Sequence, residues 1–139
     1  MEKTSFVSLT DKNTYTILGV MSGTSLDGID LAAVQFNKNN EKEFKILQAK
    51  TYPYSNEWKK QLQDSSHLSA YEFLKLHKEY GRYIGTLILQ FLKSTDITID
   101  FSSRRRHTIF HEPQHRFNFQ LGDGAFIAAT TGITTISDF

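Results

Sequence analysis

The sequence predicts an α/β fold, a mixed β-sheet with flanking helices. Three short segments of strand character come first, one long amphipathic segment follows, and further short apolar segments come last. Short apolar runs between turn residues are typical of strands, whereas apolar residues that recur three and four positions apart are typical of helices. This order of strands, long helix and strands favours α/β or mixed α+β architecture.

The first three elements are predicted strands. Residues 15–21 and 29–36 are short apolar runs, and the small polar residues 22–28 between them predict a hairpin with a tight loop. Residues 44–52 alternate moderately in character and form the third predicted strand. Pro53 ends this strand, because proline has no N–H to donate to a neighbouring strand.

Two helices are predicted next. Residues 56–64 follow Ser55, whose hydroxyl can accept a hydrogen bond at the N-terminus of a helix. Residues 69–92 carry apolar residues at helical spacing throughout and form the clearest helix of the chain. This helix begins with Ser69 and, three residues later, Glu72, which is the pattern of a capping box.

The long helix and the elements after it are predicted to pack closely. Gly81 and Gly85 lie four residues apart on that helix, which indicates close contact with a neighbouring element. The later predicted elements are strands at residues 97–101, 108–110, 117–121 and 133–139, a loop at residues 111–116 and a helix at residues 125–131. Gly-Asp-Gly at residues 122–124 opens that last helix, and Gly132 ends it.

The composition argues against several classes of protein. A formal charge of +1 gives no electrostatic reason to expect a nucleic-acid or anionic-membrane partner. The chain has no cysteine, which excludes disulfides and thiolate metal sites and fits a reducing cytoplasm. Residues 1–13 are polar and lack the apolar core of a signal peptide, and no apolar run approaches the roughly 20 residues that a membrane helix needs. We therefore expect a cytoplasmic protein.

The C-terminal sequence predicts that the chain is a piece of a longer protein. Residues 134–139, TTISDF, have strand character and are followed by no turn, cap or polar tail. Natural chain ends are usually polar and frayed. A short protein that ends in an edge strand is the alternative.

Residues 19–30, GVMSGTSLDGID, form a candidate phosphate loop. Small residues allow successive backbone N–H groups to converge on an anion, and Thr24 and Ser25 add hydroxyl donors. Asp27 and Asp30 offer the hard oxygen ligands that Mg²⁺ prefers. The segment lacks both the Gly-Lys-Ser/Thr of a Walker A loop and the spacing of a Rossmann fingerprint. Composition alone leaves a simple turn as the alternative.

The same string resembles the signature G-V-M-S-G-T-S-x-D-G-x-D of the anhydro-N-acetylmuramic acid kinases, which belong to the sugar kinase, actin and heat-shock ATPase superfamily. Residues 107–139 are also similar to three family blocks, His-x-Thr-x-x-His-x-Pro, Q-x-G-D-G and T-G-I-T-T-x-x-D-F. The resemblance implies a ribonuclease H-like, actin-like ATPase fold. Residues 14–139 would then be an incomplete N-terminal lobe behind a polar tail at residues 1–13, with the second lobe absent.

The resemblance also implies ATP and Mg²⁺ as cofactors and an anhydro amino sugar as substrate. The parent enzyme would convert 1,6-anhydro-N-acetylmuramic acid to N-acetylmuramic acid 6-phosphate in cell-wall recycling. The resemblance also implies that this parent forms a homodimer. The residues that would contact the ATP phosphates are Gly23, Thr24, Ser25, Leu26, Asp27, Gly28, Ile29 and Asp30. Asp27 and Asp30 would hold Mg²⁺, directly or through water. The residues that would contact the sugar are His107, Thr108, His111 and Asp123.

No catalytic residue is assigned in this chain, because the family's catalytic base is expected beyond Phe139. The 139-residue chain alone is therefore expected to be inactive. Two alternatives stay open: a nucleotide- or sugar-binding module that has lost catalysis, and another sugar kinase of the same superfamily. A metal cluster of His107, His111 and His115 is a weaker alternative, because no further carboxylate or thiolate completes it.

One segment departs from the family pattern. Arg104, Arg105 and Arg106 stand where relatives show Ser, His and Gly after an apolar strand. Three interpretations stay open: a solvated basic loop, a basic patch for phosphate or nucleic acid, and a local error in the sequence. The third rests on the string SSRRRHT, which arises when sequencing-adapter DNA is translated. Real arginines at these positions would argue against sugar binding in this segment.

Overall fold

The computed structural model of the protein describes residues 12–105 and 107–137. The strands of this part are β1 (Thr14–Ser22), β2 (Gly28–Asn37), β3 (Asn40–Pro53), β4 (Phe101–Arg105), β5 (His107–Glu112), β6 (Phe117–Leu121) and β7 (Thr135–Ile136). The α-helices are α1 (Asn56–Asp64), α2 (Ala70–Lys93) and α3 (Gly124–Thr131). Short 3₁₀ turns follow α1 at Ser65–His67 and β5 at Pro113–His115. These elements confirm the predicted α/β class.

The main sheet has the strand order β3-β2-β1-β4-β7 and is mixed. β1 and β2 pair antiparallel, as do β2 and β3, so the front of the chain is a meander. β4 pairs parallel with β1 and with β7. A parallel neighbour requires a crossover connection, and α2 is the long helix in the connection from β3 to β4. β5 and β6 form a separate two-stranded hairpin.

The core lies between α2 and one face of this sheet. Alternate residues of β1 and β2 are buried, as expected where successive side chains point to opposite faces. Leu18 of β1, Leu31 of β2 and Ile88 of α2 are nearly inaccessible to solvent and belong to one apolar cluster. Apolar burial of this kind supplies most of the free energy that holds a helix on a sheet. The phosphate-loop segment is thereby fixed at the end of two core strands.

Both predicted helix starts are confirmed. The Ser55 hydroxyl accepts a hydrogen bond from the Trp58 N–H at 3.2 Å. Ser69 and Glu72 form the capping box in both directions. Gly132 ends α3 with a left-handed φ of 70°. Each of these local signals depends on side chains a few residues apart, which is why sequence alone could predict them.

The close packing predicted for the two helix glycines is also confirmed, and the neighbouring element is α3 with the turn before it. A Cβ added at Gly81 would lie 2.6 Å from the carbonyl oxygen of Asp123. A Cβ added at Gly85 would lie 2.8 Å from the Cβ of Thr130. Contacts this short leave no room for a side chain.

Several predicted boundaries are wrong. The third strand begins at Asn40 rather than at residue 44. The strand expected at residues 97–101 begins only at Phe101, and Asp100 instead accepts hydrogen bonds from Lys12 and from the Thr16 N–H. Burial raises the pKa of Asp100, but these bonds and the charge of Lys12 outweigh it and lower the pKa below its usual value. The loop predicted at residues 111–116 is shorter, because β5 continues to Glu112 before the 3₁₀ turn.

The last predicted strand, at residues 133–139, is also too long. It is reduced to the two residues of β7, which pair with β4 at only two positions. Asp138 and Phe139, the end of that prediction, lie outside the described residues. β7 lies at the edge of the sheet and has a partner on one side only. Its length is therefore set by the two positions at which it pairs with β4.

The interpretation of the arginines as a solvated loop is wrong for Arg104. This residue lies in β4 on the side of the sheet that faces α2, and only 1% of its surface is exposed. Its Nη2 donates a hydrogen bond to the Leu121 carbonyl at 2.8 Å, and the guanidinium carbon lies 5.8 Å from the centre of the Tyr80 ring. Arg105, one residue later, is exposed, and Arg106 lies outside the described residues.

The interpretation as a sequence error stays a prediction. Resequencing the DNA that encodes residues 100–106 tests it, and a second read with three arginine codons would contradict it.

Candidate functional site: the loop between β1 and β2 and the adjoining cavity

The candidate phosphate loop is the five-residue connection between β1 and β2. Gly23, Thr24, Ser25 and Asp27 are exposed at this end of the sheet, and Leu26 is half-buried with a left-handed φ of 58°. Within the described part of the chain, the backbone N–H groups of Thr24 and Ser25 make no hydrogen bond. Two consecutive amides open to solvent, next to two hydroxyls, can bind an anion such as phosphate.

Two of the residues predicted to contact phosphate are buried instead. Ile29 has no solvent-accessible surface and packs in the core. Gly28 begins β2 against β3, where an added Cβ would lie 2.9 Å from the Cα of Pro53 and closer still to the Tyr52 carbonyl oxygen. Gly28 is therefore required by the packing of two strands. The phosphate roles of both residues stay predictions, with only their backbone near the loop.

The two carboxylates assigned to Mg²⁺ have different surroundings. Asp27 is in the loop, and its backbone carbonyl accepts a hydrogen bond from the Tyr54 N–H at 3.3 Å. Asp30 is exposed on β2, where its Oδ1 accepts a hydrogen bond from the Thr51 hydroxyl at 2.5 Å. Asp30 also lines a cavity of about 330 Å³ together with Met21 and Arg105.

Asp27 and Asp30 stay the predicted ligands of a magnesium ion that is also bound by phosphate. Mg²⁺ commonly takes one or two carboxylates, substrate phosphates and water. Among residues 12–105 and 107–137, no group of three histidine or acidic side chains is arranged to hold a metal by itself. This finding also removes the alternative of a cluster of His107, His111 and His115 as far as the described residues reach. His115 instead contacts Glu112, with 2.8 Å between Nδ1 and Oε2.

His107 joins β5 to the loop. It is 6% exposed, and its Nδ1 lies 3.2 Å from the Gly23 carbonyl oxygen, which accepts the hydrogen bond if the Nδ1 atom carries the proton. Burial lowers the pKa of His107, and the hydrogen bond to Gly23 opposes this only in part. The neutral imidazole is therefore the favoured form near neutral pH.

A cavity of about 230 Å³ lies between the loop, the end of α1 and β5. Its polar lining comes from Thr24 of the loop, from Gln63, Ser65 and Ser66 at and after the end of α1, and from His107 and Thr108 of β5. The structure thus brings a predicted phosphate residue and two predicted sugar residues to one cavity. Sequence reasoning missed Gln63, Ser65 and Ser66, because nothing in the sequence connects the end of α1 with the loop.

The other two predicted sugar residues do not line this cavity. His111 is exposed on β5, where it is paired with Asn118 of β6. Asp123 is the N-cap of α3, and its Oδ1 accepts a hydrogen bond from the Ala125 N–H at 2.9 Å. Capping residues of this kind stabilise helix starts. The assignment of His111 and Asp123 to the sugar stays a prediction.

The fold and the loop together are consistent with one class of protein. A mixed sheet that begins with an antiparallel meander, continues through a helix to parallel strands, and carries an open small-residue loop after its first strand is consistent with the N-terminal lobe of an actin-like ATPase. Among the described residues, none of the helices combines the length and apolar character needed to span a membrane.

Comparison with known proteins gives the family. The family model described as anhydro-N-acetylmuramic acid kinase matches residues 15–139. Proteins named anhydro-N-acetylmuramic acid kinase are 38% identical over 128 residues in Hydrogenovibrio crunogenus, 36% over 138 residues in Pseudoalteromonas translucida and 33% over 132 residues in Photobacterium profundum. The chain belongs to the anhydro-N-acetylmuramic acid kinase family. Each of these matches covers 88% of this chain but 34% of the relative, so the chain spans about a third of their length.

Proposed function

We propose that this chain forms the phosphate- and sugar-binding side of an ATP-dependent kinase for 1,6-anhydro-N-acetylmuramic acid. One observation carries the proposal: Thr24 of the loop and Thr108 of β5 line the same cavity. Phosphoryl transfer depends on holding donor and acceptor side by side, so phosphate-binding and sugar-binding groups must adjoin. Membership of the family supports this substrate over those of other sugar kinases.

The groups of this chain would act by binding and positioning. The open amides and hydroxyls of Thr24 and Ser25 would donate to phosphate oxygens. His107 would hold the loop through the Gly23 carbonyl while remaining neutral. Asp27 and Asp30 would hold Mg²⁺, which when bound neutralises the charge of the phosphates.

In the proposed reaction the sugar O6 forms a bond to the γ-phosphorus of ATP, whose bond to the leaving ADP oxygen breaks. Water adds at C1 as the 1,6-anhydro bridge opens, which gives N-acetylmuramic acid 6-phosphate for cell-wall recycling. The base that takes the proton from this water is expected beyond Phe139, as is the lobe that would bind adenine. We therefore propose that the 139-residue chain binds but does not turn over its substrates.

The proposal extends to partners and location. Its ligands are ATP and the anhydro amino sugar, with neither nucleic acid nor membrane as a partner. The full-length protein is proposed to be cytoplasmic and homodimeric.

Isothermal titration of the purified chain with Mg·ADP and, separately, with the anhydro sugar tests the binding proposal. Thr24→Val removes a hydroxyl of the loop with little change in shape, and we expect it to weaken nucleotide binding by roughly tenfold. Thr14→Val, at the exposed start of β1, is the matched control and should bind as the unaltered chain does. Equal affinities for all three proteins would contradict a phosphate role for the loop.

A further inference from the structure

The turn between β6 and α3 is bound by one residue of α2. The Gly122 N–H donates a hydrogen bond to the Nδ1 atom of His77 at 2.9 Å. The next amide, of Asp123, donates to the backbone carbonyl of His77 at 3.1 Å. Two consecutive amides of the Gly122–Asp123 turn therefore donate hydrogen bonds to His77 of α2. Gly122 and His77 are 45 residues apart in the sequence.

The turn is also held close to the helix by shape. Gly122 has a left-handed φ of 101°, which few residues other than glycine adopt. Gly81 lies one helical turn after His77, and an added Cβ there would be 2.9 Å from the Asp123 nitrogen. On the other side the Phe119 ring centre is 5.3 Å from that of His77. The imidazole is therefore placed between β6 and the turn.

The hydrogen bond from Gly122 fixes which nitrogen of His77 carries the proton. An imidazole nitrogen accepts a hydrogen bond only through its lone pair, so Nδ1 is unprotonated and Nε2 carries the hydrogen. The acceptor stands at the δ position of the side chain. Asparagine has an acceptor oxygen at the same position, whereas the oxygen of glutamine is one carbon further out and leucine has none.

We propose that His77 is a positioning residue for the sugar-binding side of the site. Through Nδ1 it holds the Gly122–Asp123 turn, and through the turn it fixes the Asp123 side chain at the N-terminus of α3. The link to the sugar rests on the proposed function and on the family resemblance that predicts Asp123 as a sugar contact. The link to the turn rests on the geometry alone.

The first measurement concerns the turn and needs no ligand. Amide hydrogen exchange at Gly122 is followed by NMR in the 139-residue chain and in the variants His77→Asn, His77→Gln and His77→Leu. We expect exchange to be about tenfold faster or more in the glutamine and leucine variants, because the protecting acceptor is lost. His77→Asn should restore the protection. His67→Gln, at an exposed histidine of the 3₁₀ turn after α1, is the control and should leave Gly122 unchanged.

The second measurement is the affinity of the same proteins for 1,6-anhydro-N-acetylmuramic acid by isothermal titration. We expect His77→Gln to weaken binding by roughly tenfold and His77→Asn to restore it. General damage to the helix would affect both variants alike, whereas rescue by asparagine depends on the δ-position acceptor.

The two measurements separate the possible failures. Unchanged protection of Gly122 in His77→Gln and His77→Leu would overturn the positioning role. Faster exchange with unchanged sugar affinity would overturn its link to the site. An unaltered chain that binds no sugar would overturn the proposed function, while the exchange data would still decide whether His77 holds the turn.

Discussion

The loop between β1 and β2 and the turn between β6 and α3 look alike in sequence but differ in what their amides do. Both are short, and both combine glycine with aspartate: GTSLD in the loop and GD in the turn. In the loop, the amides of Thr24 and Ser25 make no hydrogen bond within the described part of the chain. In the turn, the amides of Gly122 and Asp123 are both bound to His77.

The difference favours the loop over the turn as the predicted site at which backbone amides would bind an anion. An amide that already donates to a protein acceptor must break that bond before it can donate to a ligand, which costs about 1 kcal/mol or more. Among the described residues, no such bond has to break at the centre of the loop, and hydrogen bonds hold only its two ends, at the carbonyls of Gly23 and Asp27. The turn is suited to presenting a side chain from a fixed backbone.

The largest expected effect distinguishes two glycines at the ends of the loop. Gly28→Ala should destabilise the protein by about 3 kcal/mol, because the new methyl group overlaps the β3 backbone. Gly23→Ala should cost less than about 1 kcal/mol, since its Cβ would come no closer than 3.4 Å to the Ser25 hydroxyl and 3.9 Å to the Ser25 nitrogen. Urea unfolding measures both free energies. Similar losses for the two variants would show that the loop is as tightly packed as the strand.

The turn provides the next comparison. Gly81→Ala should cost about 2 kcal/mol, because the methyl group would push against the Asp123 backbone where the turn lies on α2. Gly19→Ala is a control on β1, where the nearest atom is 3.7 Å away, and should change stability by less than about 1 kcal/mol. The same unfolding experiment applies. A Gly81→Ala protein as stable as the control would mean that the turn can move away from the helix without cost.

A further test asks whether Ser25 in the loop contributes to nucleotide binding rather than to the stability of the folded protein. Ser25→Ala should leave the free energy of unfolding within about 0.5 kcal/mol of the unaltered value, because the residue is exposed. Nucleotide affinity, measured by titration, should nevertheless fall by a few fold. A stability loss without an affinity loss would reverse the proposed distinction between loop and turn.

The smallest expected effect is a pH dependence that arises at His107. Its pKa is lowered in the folded protein, so the unfolded chain binds a proton more readily as pH falls through the ordinary histidine value of 6.5. Stability from this residue is therefore complete above that value and declines as pH falls through 6.5 toward the lowered pKa of the folded state. His107→Asn, which can still donate to the Gly23 carbonyl, should reduce this slope in unfolding experiments at pH 7 and pH 5. An unchanged slope would assign the pH dependence to other groups.

Local signals account for what could be predicted from the sequence. The helix starts at Ser55 and Ser69, the end of α3 at Gly132 and the three strands of the meander all depend on neighbours within a few residues. The beginning of β4 was misplaced, because Asp100 is held by hydrogen bonds from Lys12 and Thr16, which are distant in sequence. The burial of Arg104 could not be predicted either, since it depends on the Leu121 carbonyl and the Tyr80 ring.

The sequence by itself determined the fold class, the family and the position of the candidate phosphate loop, because these depend on periodicity and on motifs that are contiguous in the chain. The tertiary structure decided which small residues are free to bind a ligand. The β3 backbone occupies the space beside Gly28, and the amides of Gly122 and Asp123 are bound to His77. The amides of Thr24 and Ser25 make no hydrogen bond to any other described residue. The physical reason is that hydrogen-bond partners and steric contacts come from elements far apart in sequence, which composition and spacing do not encode.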